Sequence, residues 1–467
     1  MKKLLALAII SSLIISYTMP AMAIEDTTTA TVEKTNLKKV KKEKKKEKKF
    51  TPTQNKFDYI NMNWWGNFDD DILNGYIIKA IENNKDLKMA SLTIDEYYQS
   101  VKAQRAGELP SVYTGFLPAY GKLEKKESWN FMLPLIASYE VDLWGKNHNK
   151  TDSVKKVWEA SILDEQAAYI SIASAVGSTY INVVKLDAMI DLQEDIVKLR
   201  KEIYEIMDIS NKEGLVSTSD LVKANKSYTL GVSDLTDLKK NRTKLLHQLA
   251  VLIGDSPNNI ENYARCDYKT LGFKGVIPKT VNSEIILTRP DYLKAEKMLE
   301  KAGIDVKIAR KEMFPTIILG GGVLFSNSSF KRLFDSAGML WGLGGGLIQP
   351  AFLGGKLKAN LKSKKIAYEK AVKNYEKVNL TSMQEVNDSL VSIKMDEERL
   401  EKQRKIYKLE ISDFNISKNK YNEGVISKLD LDQMQENLLS VNKMLYATEF
   451  DCMVDYISYY KAVAAKA

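Results

Sequence analysis

Two short stretches decide how this chain is organised: EGLVSTSDL at residues 213–221 and EGVISKLDL at residues 423–431, which match at an offset of 210. Each lies between two long helical patterns. Gly214 and Gly424 supply the positive φ that ends a helix, and each is followed by Ser-x-x-Asp, a helix-start pattern. Ser217 and Ser427 are the expected N-caps, with Asp220 and Asp430 three residues on. The match extends outward at the same offset. Val183, Ile190, Val197 and Tyr204 stand opposite Ile393, Leu400, Tyr407 and Phe414, and Gly145-Lys146 stands opposite Gly355-Lys356. Leu109-Pro110 has its counterpart in Phe314-Pro315 at the shorter offset of 205. Several matches in order predict a tandem duplication, with repeats over 56–260 and 261–467.

Most of the remaining chain has helical period and few breakers. Helices are expected over 69–107, 148–210, 218–254, 283–312, 356–420 and 427–463. The segments 148–210 and 356–420 would each extend roughly 95 Å at about 1.5 Å per residue, far beyond an ordinary globular helix. Helices of that length need long partners, and heptads provide them. Ile393, Leu400, Tyr407, Phe414 and Tyr421 recur every seven residues, and Leu431, Met434, Leu438, Val441 and Leu445 alternate steps of three and four. Glu397, Arg404 and Lys418 interrupt the first seam, so shallow lateral contacts are expected rather than an unbroken two-stranded rod.

Each half holds one non-helical island just after its X-Pro step. The first is 111–143, with SVYTGFLPAYGKL and FMLPLIASYEVDL; the second is 316–351, with TIILGGGVLFSN and MLWGLGGGLIQPAF. Each has room for two strands of about ten residues and a turn, the length that spans a bilayer. Pro110 and Pro315 mark the helix-to-strand junctions, because proline is excluded from a helix interior. Four strands cannot close a barrel, and an open sheet edge in lipid is forbidden. Three copies would supply twelve strands, an even number within the barrel range.

The first residues have the form of an export signal: Lys2 and Lys3, an apolar run from Leu4 to Tyr17, then Ala21-Met22-Ala23. A cleaved signal peptide over 1–23 is expected, without lipidation, because the two cysteines are Cys266 and Cys452. Two such distant cysteines are expected to be buried free thiols rather than a disulfide scaffold. After the signal, no stretch approaches the roughly 20 apolar residues of a spanning helix. The net charge of +9 is concentrated in a lysine run between Lys38 and Lys49. With no interleaved aromatics, the run has the character of a solvated leader over 24–55 rather than a nucleic-acid surface.

At this point the chain resembles the TolC-like outer-membrane factors, particularly the branch paired with resistance-nodulation-division pumps. The likeness runs from about Trp64 onward. It is carried by WWGNFDDDILNGYIIKAIENNKDL, ending at the Glu108–Pro110 step, and by ASYEVDLWGK (137–146). TRPDYLKAEKMLEKAGIDVKIARKEMFP (288–315) and QPAFLGGKLKA (349–359) carry it through the second half. The resemblance implies a mainly α cylinder of antiparallel helices joined to a twelve-stranded β-barrel shared by a homotrimer. It also implies passive export of small molecules across the outer membrane and periplasm, or of proteins in type I secretion. A periplasmic adaptor (membrane fusion protein) and an inner-membrane pump would be the partners, with outer-membrane lipid around the barrel. The family's closed end lies at the helix turns, here 211–222 and 421–432. Asp220 and Tyr421 match positions that hold the constriction shut, and Asp430 matches an acidic ring. Gly214, Ser217, Gly424 and Ser427 stand where the adaptor would dock. Ile426 replaces a bonding arginine and Gln433 a second acidic residue, so the gate is expected to be held differently.

Other patterns have bland explanations. Gly320–Gly322 and Gly344–Gly346 do not fit a P-loop, since Leu357 follows Lys356, and strand packing or bending accounts for them better. His148 and His247 lie in separate helical regions and form no metal or triad pattern. Trp341 suits either an interfacial belt or simple packing. Nothing suggests a reaction, a cofactor or a nucleic-acid partner. A surface coiled-coil structural or adhesive protein remains the rival, but it leaves the paired strand islands unexplained. A periplasmic adaptor would need a β module beside one hairpin, and none is visible.

Overall fold

The structure is a computed structural model that describes residues 64–123, 126–279 and 281–464. The signal peptide and the lysine-rich leader lie outside the described residues. Two helices, α1 (Asp71–Asn83) and α2 (Lys85–Ala106), lead into strands β1 (Ser111–Thr114), β2 (Leu117–Leu123) and β3 (Lys126–Val141). The chain continues as α3 (Lys146–Lys212) and α4 (Thr218–Leu252), then α5 (Pro290–Lys311), β4 (Thr316–Asn327), β5 (Met339–Ile348), α6 (Lys356–Asn422) and α7 (Lys428–Val463). Both long helices have 67 residues, or about 100 Å.

The expected helix over 69–107 is two helices. Asn84 breaks it by accepting hydrogen bonds from the Asp86 and Leu87 backbone N–H groups at 2.9 and 3.2 Å, while its amide donates to Leu252 O at 2.8 Å. That is a local N-cap, which overrides a hydrophobic period running through it. The helix expected from 283 begins at Pro290, after a short 3₁₀ turn over Ser283–Thr288; proline at the first helical position is favourable. The expectation that no mature segment is apolar enough to span a membrane also needs correction. An 18-residue window of α3 meets that test, but 56% of it is buried within the protein, so its apolarity serves the core.

The strand islands form one antiparallel sheet in the order β1–β3–β4–β5, with β2 pairing β3 beyond β1. β1 and β2 act together as one interrupted strand, so the sheet is four strands wide. Because side chains alternate across a strand, the register separates two unlike faces. On one, Leu133, Leu135 and Tyr139 of β3 meet Phe325, Val323 and Leu319 of β4, and Val323 meets Trp341 of β5. On the other, Ser138 meets Gly320 and then Gly344, while Gly322 pairs with Gly342. There, too, the Ser326 hydroxyl donates to Asn130 Oδ1 at 3.0 Å. One face is thus continuously apolar, while the other mixes glycine and polar residues with Ile136, Ile318, Leu324 and Leu340; the first suits contact with lipid. A Cβ on Gly322 would lie 2.7 Å from Leu135 O, so that position requires glycine for strand approach.

The helices make an open wall rather than a closed bundle. α3 runs through its middle, flanked by α4 and α7 towards the tips and by α2 and α5 towards the sheet; α6 packs on α7 and α5 at one border. The core gathers around the middle of α3. Val176, Tyr180, Ile181 and Val184 pack with Phe68, Leu73 and Ile77 from the N-terminal segment, Leu249 and Ile253 of α4, and Phe450 and Ile457 of α7. Tyr180 donates its hydroxyl to Asp70 at 2.6 Å and accepts the Cys266 N–H at 3.1 Å. Asp70 in turn caps α1. Burial raises the Tyr180 hydroxyl and pushes the Cys266 thiol up to about 12, so both are neutral structural groups. Both cysteines are free, Cys452 buried and Cys266 partly buried.

Candidate functional site at the helix tips

Both tips are built as their sequences require. After α3, Gly214 takes φ +73° and the Leu215 N–H reaches Ser210 O at 2.8 Å; after α6, Gly424 takes φ +76° and the Val425 N–H reaches Lys420 O at 2.8 Å. A glycine in the left-handed region closes each helix without Cβ strain. Ser217 and Ser427 then cap α4 and α7, accepting from Asp220 N and Asp430 N at 3.1 Å in both cases.

The two aspartates differ in their remaining bonds. Asp430 accepts the Ser427 N–H at 3.0 Å, completing a reciprocal capping box, and the Ser427 hydroxyl at 2.7 Å. Asp220 accepts the Ser217 hydroxyl at 2.7 Å and pairs with Lys223 at 3.0 Å. Both carboxylates are exposed, and both are held below their ordinary value, chiefly by the serine bonds. They are therefore ionised throughout the neutral range. Tyr421 lies at the last turn of α6, 37% exposed. Asp220's bonds stay within its own first turn, so the geometry brings Asp220 and Tyr421 to the same end of the molecule without joining them. Ile426 and Gln433 contribute no bond across the tips among the described residues.

Behind the tips lies a polar layer that motif reading missed. Asp432 is wholly buried on α7 and accepts from Lys428, whose ammonium it raises above its ordinary value. Arg200 of α3 donates from Nε to Glu436 of α7 at 2.9 Å, and from Nη1 to Ser227 O of α4 at 3.1 Å. Gln193 of α3 donates to Gly231 O of α4 at 3.1 Å and accepts from Lys443 of α7 at 2.7 Å. Such charges look like solvated surface in sequence; the available signal is their shared heptad step.

At the opposite end, Pro110 and Pro315 immediately precede β1 and β4. The Trp144 indole donates to Pro315 O at 2.7 Å, and Lys146 pairs with Glu140 at 2.6 Å. Asp142 caps α3 by accepting from Asn147 N and His148 N at 3.0 and 2.8 Å. These bonds fix the angle at which the sheet meets the helical wall. Among the described residues no cluster could hold a metal ion.

A sheet with one lipid-suited face, set on a wall of 100 Å helices, defines a membrane channel of the exit-duct class. The chain belongs to the outer membrane efflux protein family, whose model matches residues 76–255 and 281–451. It is 26% identical over 426 residues to TtgC, a probable efflux pump outer membrane protein of Pseudomonas putida, covering 89% of this chain and 87% of that one. It is 24% identical over 423 residues to SilC of Salmonella typhimurium, a probable outer membrane lipoprotein, covering 88% and 89%. The fold is also that of the Campylobacter jejuni CmeC outer membrane channel, with a TM-score of 0.79, 23% identity, and 96% and 95% of the two chains covered.

Proposed function

We propose that three copies of this chain form a passive exit duct through the outer membrane and periplasm, the terminal component of a tripartite efflux system. The observation that carries this reading is the open protomer. Its sheet ends in two unpaired edges, β1–β2 and β5, which lipid does not tolerate. Three such sheets closing on each other give a twelve-stranded barrel with the apolar face to outer-membrane lipid and the glycine-rich face to the lumen. The helical wall ends as openly, with Leu380, Val391 and Leu409 of α6 exposed at one border and Leu230 of α4 at the other.

In this reading the tips face an adaptor, with Gly214, Ser217, Gly424 and Ser427 shaping the docking surface, and an inner-membrane pump supplies the energy. Asp220, Tyr421 and Asp430 line the constriction, where a threefold carboxylate ring favours cations. The cargo class is small molecules, as for the efflux relatives. Closely matched burial supports the duplication: Val183 and Ile190 are buried, as are Ile393 and Leu400, while Val197, Tyr204, Tyr407 and Phe414 are all partly buried. Export by a cleaved signal remains part of the proposal. So does a non-lipidated mature chain, which rests on the lack of any cysteine before Cys266 and parts company with SilC.

The test is ion conductance of the detergent-purified protein in planar bilayers. Discrete steps support the duct. A protein that never inserts would falsify it and favour the coiled-coil surface reading. Secretion of polypeptides rather than small molecules, followed in vesicles with fluorescent cargo of each kind, would instead point to a type I secretion duct.

A further inference from the structure

We infer that the β4–β5 turn, residues 328–338, is a binding surface for a phosphate-bearing lipid, whose phosphate is held by Lys331 and Arg332 at the rim of the barrel. This rests on the duct reading and names the chemistry of the lipid at one level of its wall. The turn folds back on the apolar face of the sheet. Phe330 packs edge-on against Phe116 and Phe131, each at 5.8 Å, and Phe334 packs on Phe325 at 5.4 Å. Phe131 and Phe325 lie on the face of Leu133, Leu135 and Val323, so both aromatic anchors place the turn on the lipid side. Lys331 and Arg332 stand between those anchors.

The turn is firmly built. The Asn327 side chain accepts the Ser329 N–H at 3.0 Å and donates to Arg332 O at 3.0 Å. Leu333 is buried, and a Cβ on Gly338 would collide with Ser326 O, so glycine is required where the chain returns to β5. Lys331 and Arg332 are exposed, and among the described residues neither has an ion-pair partner; Asp335, on the same turn, pairs with neither. Nearby on the apolar face, Lys122 and Glu127 offset each other at 3.8 Å. At the opposite end of the sheet the cations flanking β3 and β4 are engaged within the protein. Lys146 pairs with Glu140 at 2.6 Å, and Lys311 donates to Gly145 O at 3.1 Å.

β4 runs for 12 residues before the turn. That is about 36 Å of strand, which at a tilt of about 40° spans about 28 Å, close to the apolar band of a membrane barrel. The turn therefore stands at headgroup level, on the side away from the helices. Phe330 and Phe334 are 62% and 69% exposed. A soluble anion would leave these rings in water. A lipid covers them with acyl chain while its phosphate meets the two cations. The arginine fork matches phosphate oxygens in pairs, and the lysine adds a point charge on a flexible stem.

The test is native mass spectrometry of the full-length, detergent-purified protein, titrated with diphosphorylated lipid A and with the same lipid stripped of its phosphates. The unaltered protein is expected to bind the phosphorylated form about tenfold more tightly, and Lys331→Gln with Arg332→Gln to remove that preference. Assembly mass and single-channel conductance are expected to stay unchanged. Asp335→Asn, which removes a carboxylate from the same turn, is expected to tighten binding about twofold. A double variant that keeps the preference, or inorganic phosphate that displaces the lipid at equal concentration, would overturn the inference while leaving the duct intact. If the unaltered protein never forms channels, the duct reading fails instead. Should the double variant not fold, Asp335→Asn decides, since it leaves both cations and both aromatic anchors in place.

Discussion

α3 and α6 have the same length, the same left-handed glycine before their first turn and the same turn after their last, yet they live in different surroundings. α3 buries 23 of its residues and α6 buries 6. The difference follows from position. α3 has neighbours on several sides, whereas α6 is the border of the wall and leaves Leu380, Val391, Leu409 and Ile416 in water. A lone soluble helix exposing such a stripe would be a liability; in the proposed trimer the stripe would meet the next copy. Their starts differ too, since Asp142 caps α3 from the loop while Phe352 stands at the equivalent place before α6. Equal length with unequal burial shows that the two longest helices hold inner and bordering positions in the wall.

The contrast is broken most severely by placing a charge on each helix in turn. Val184→Asp in the α3 core is expected to cost on the order of 5 kcal/mol, because it buries an unpaired charge, and to abolish recovery of folded protein. Leu409→Asp on α6 is expected to leave helical content by circular dichroism intact while preventing assembly, as judged by mass in detergent. Equal effects at the two sites would undo the distinction.

A smaller effect is expected where α6 is tied back to its own chain. Arg289 is buried and bonds Asp291 and Glu385 at 2.6 Å, and Ala462 O at 2.5 Å, joining α5, α6 and the end of α7. Arg289→Met is expected to lower stability by about 2 kcal/mol, the range for hydrogen bonds to a charged group, with a matching fall in thermal midpoint.

The α6–α7 contact also carries a pH dependence. Burial, with Asp396 alongside and Asp451 nearby, raises the Asp455 carboxyl to about 7; Arg399 lies 3.7 Å from Asp396 and Lys185 2.6 Å from Asp451. The folded state thus holds a proton that the unfolded chain releases near the ordinary carboxylate value. Its contribution is most favourable at low pH and is lost as pH rises through about 7. The thermal midpoint is expected to fall between pH 5 and pH 8, and Asp455→Asn to flatten that slope.

The smallest expected change is at the tips. Asp430→Asn should reduce cation preference, seen as a shift of reversal potential under a salt gradient, without altering assembly. Because Ser427 holds Asp430 below its ordinary value, the preference of the unaltered channel should persist as pH falls towards 4. An unchanged reversal potential would remove Asp430 from the ring.

Much of this framework was legible in the residues themselves. Gly214, Gly424 and the Ser-x-x-Asp starts specify local backbone geometry, so both turns could be placed to within a residue or two. Pro110 and Pro315 likewise mark where helix must give way to strand. The break at Asn84 escaped because it depends on a tertiary bond to Leu252 O. The Arg200 and Gln193 bonds escaped for a related reason: a heptad predicts which side of a helix meets its neighbour, but not that a polar group there will find its partners. The partner chosen by the apolar stripe of α6 is likewise a property of the assembly.

The most direct measurement is the copy number of the purified particle, by native mass spectrometry from detergent. Three chains per particle are expected, because three four-stranded sheets close every edge left open by β1–β2 and β5. A stable, channel-forming monomer or dimer would contradict this, since the sheet edges would then have to be satisfied within fewer than three chains.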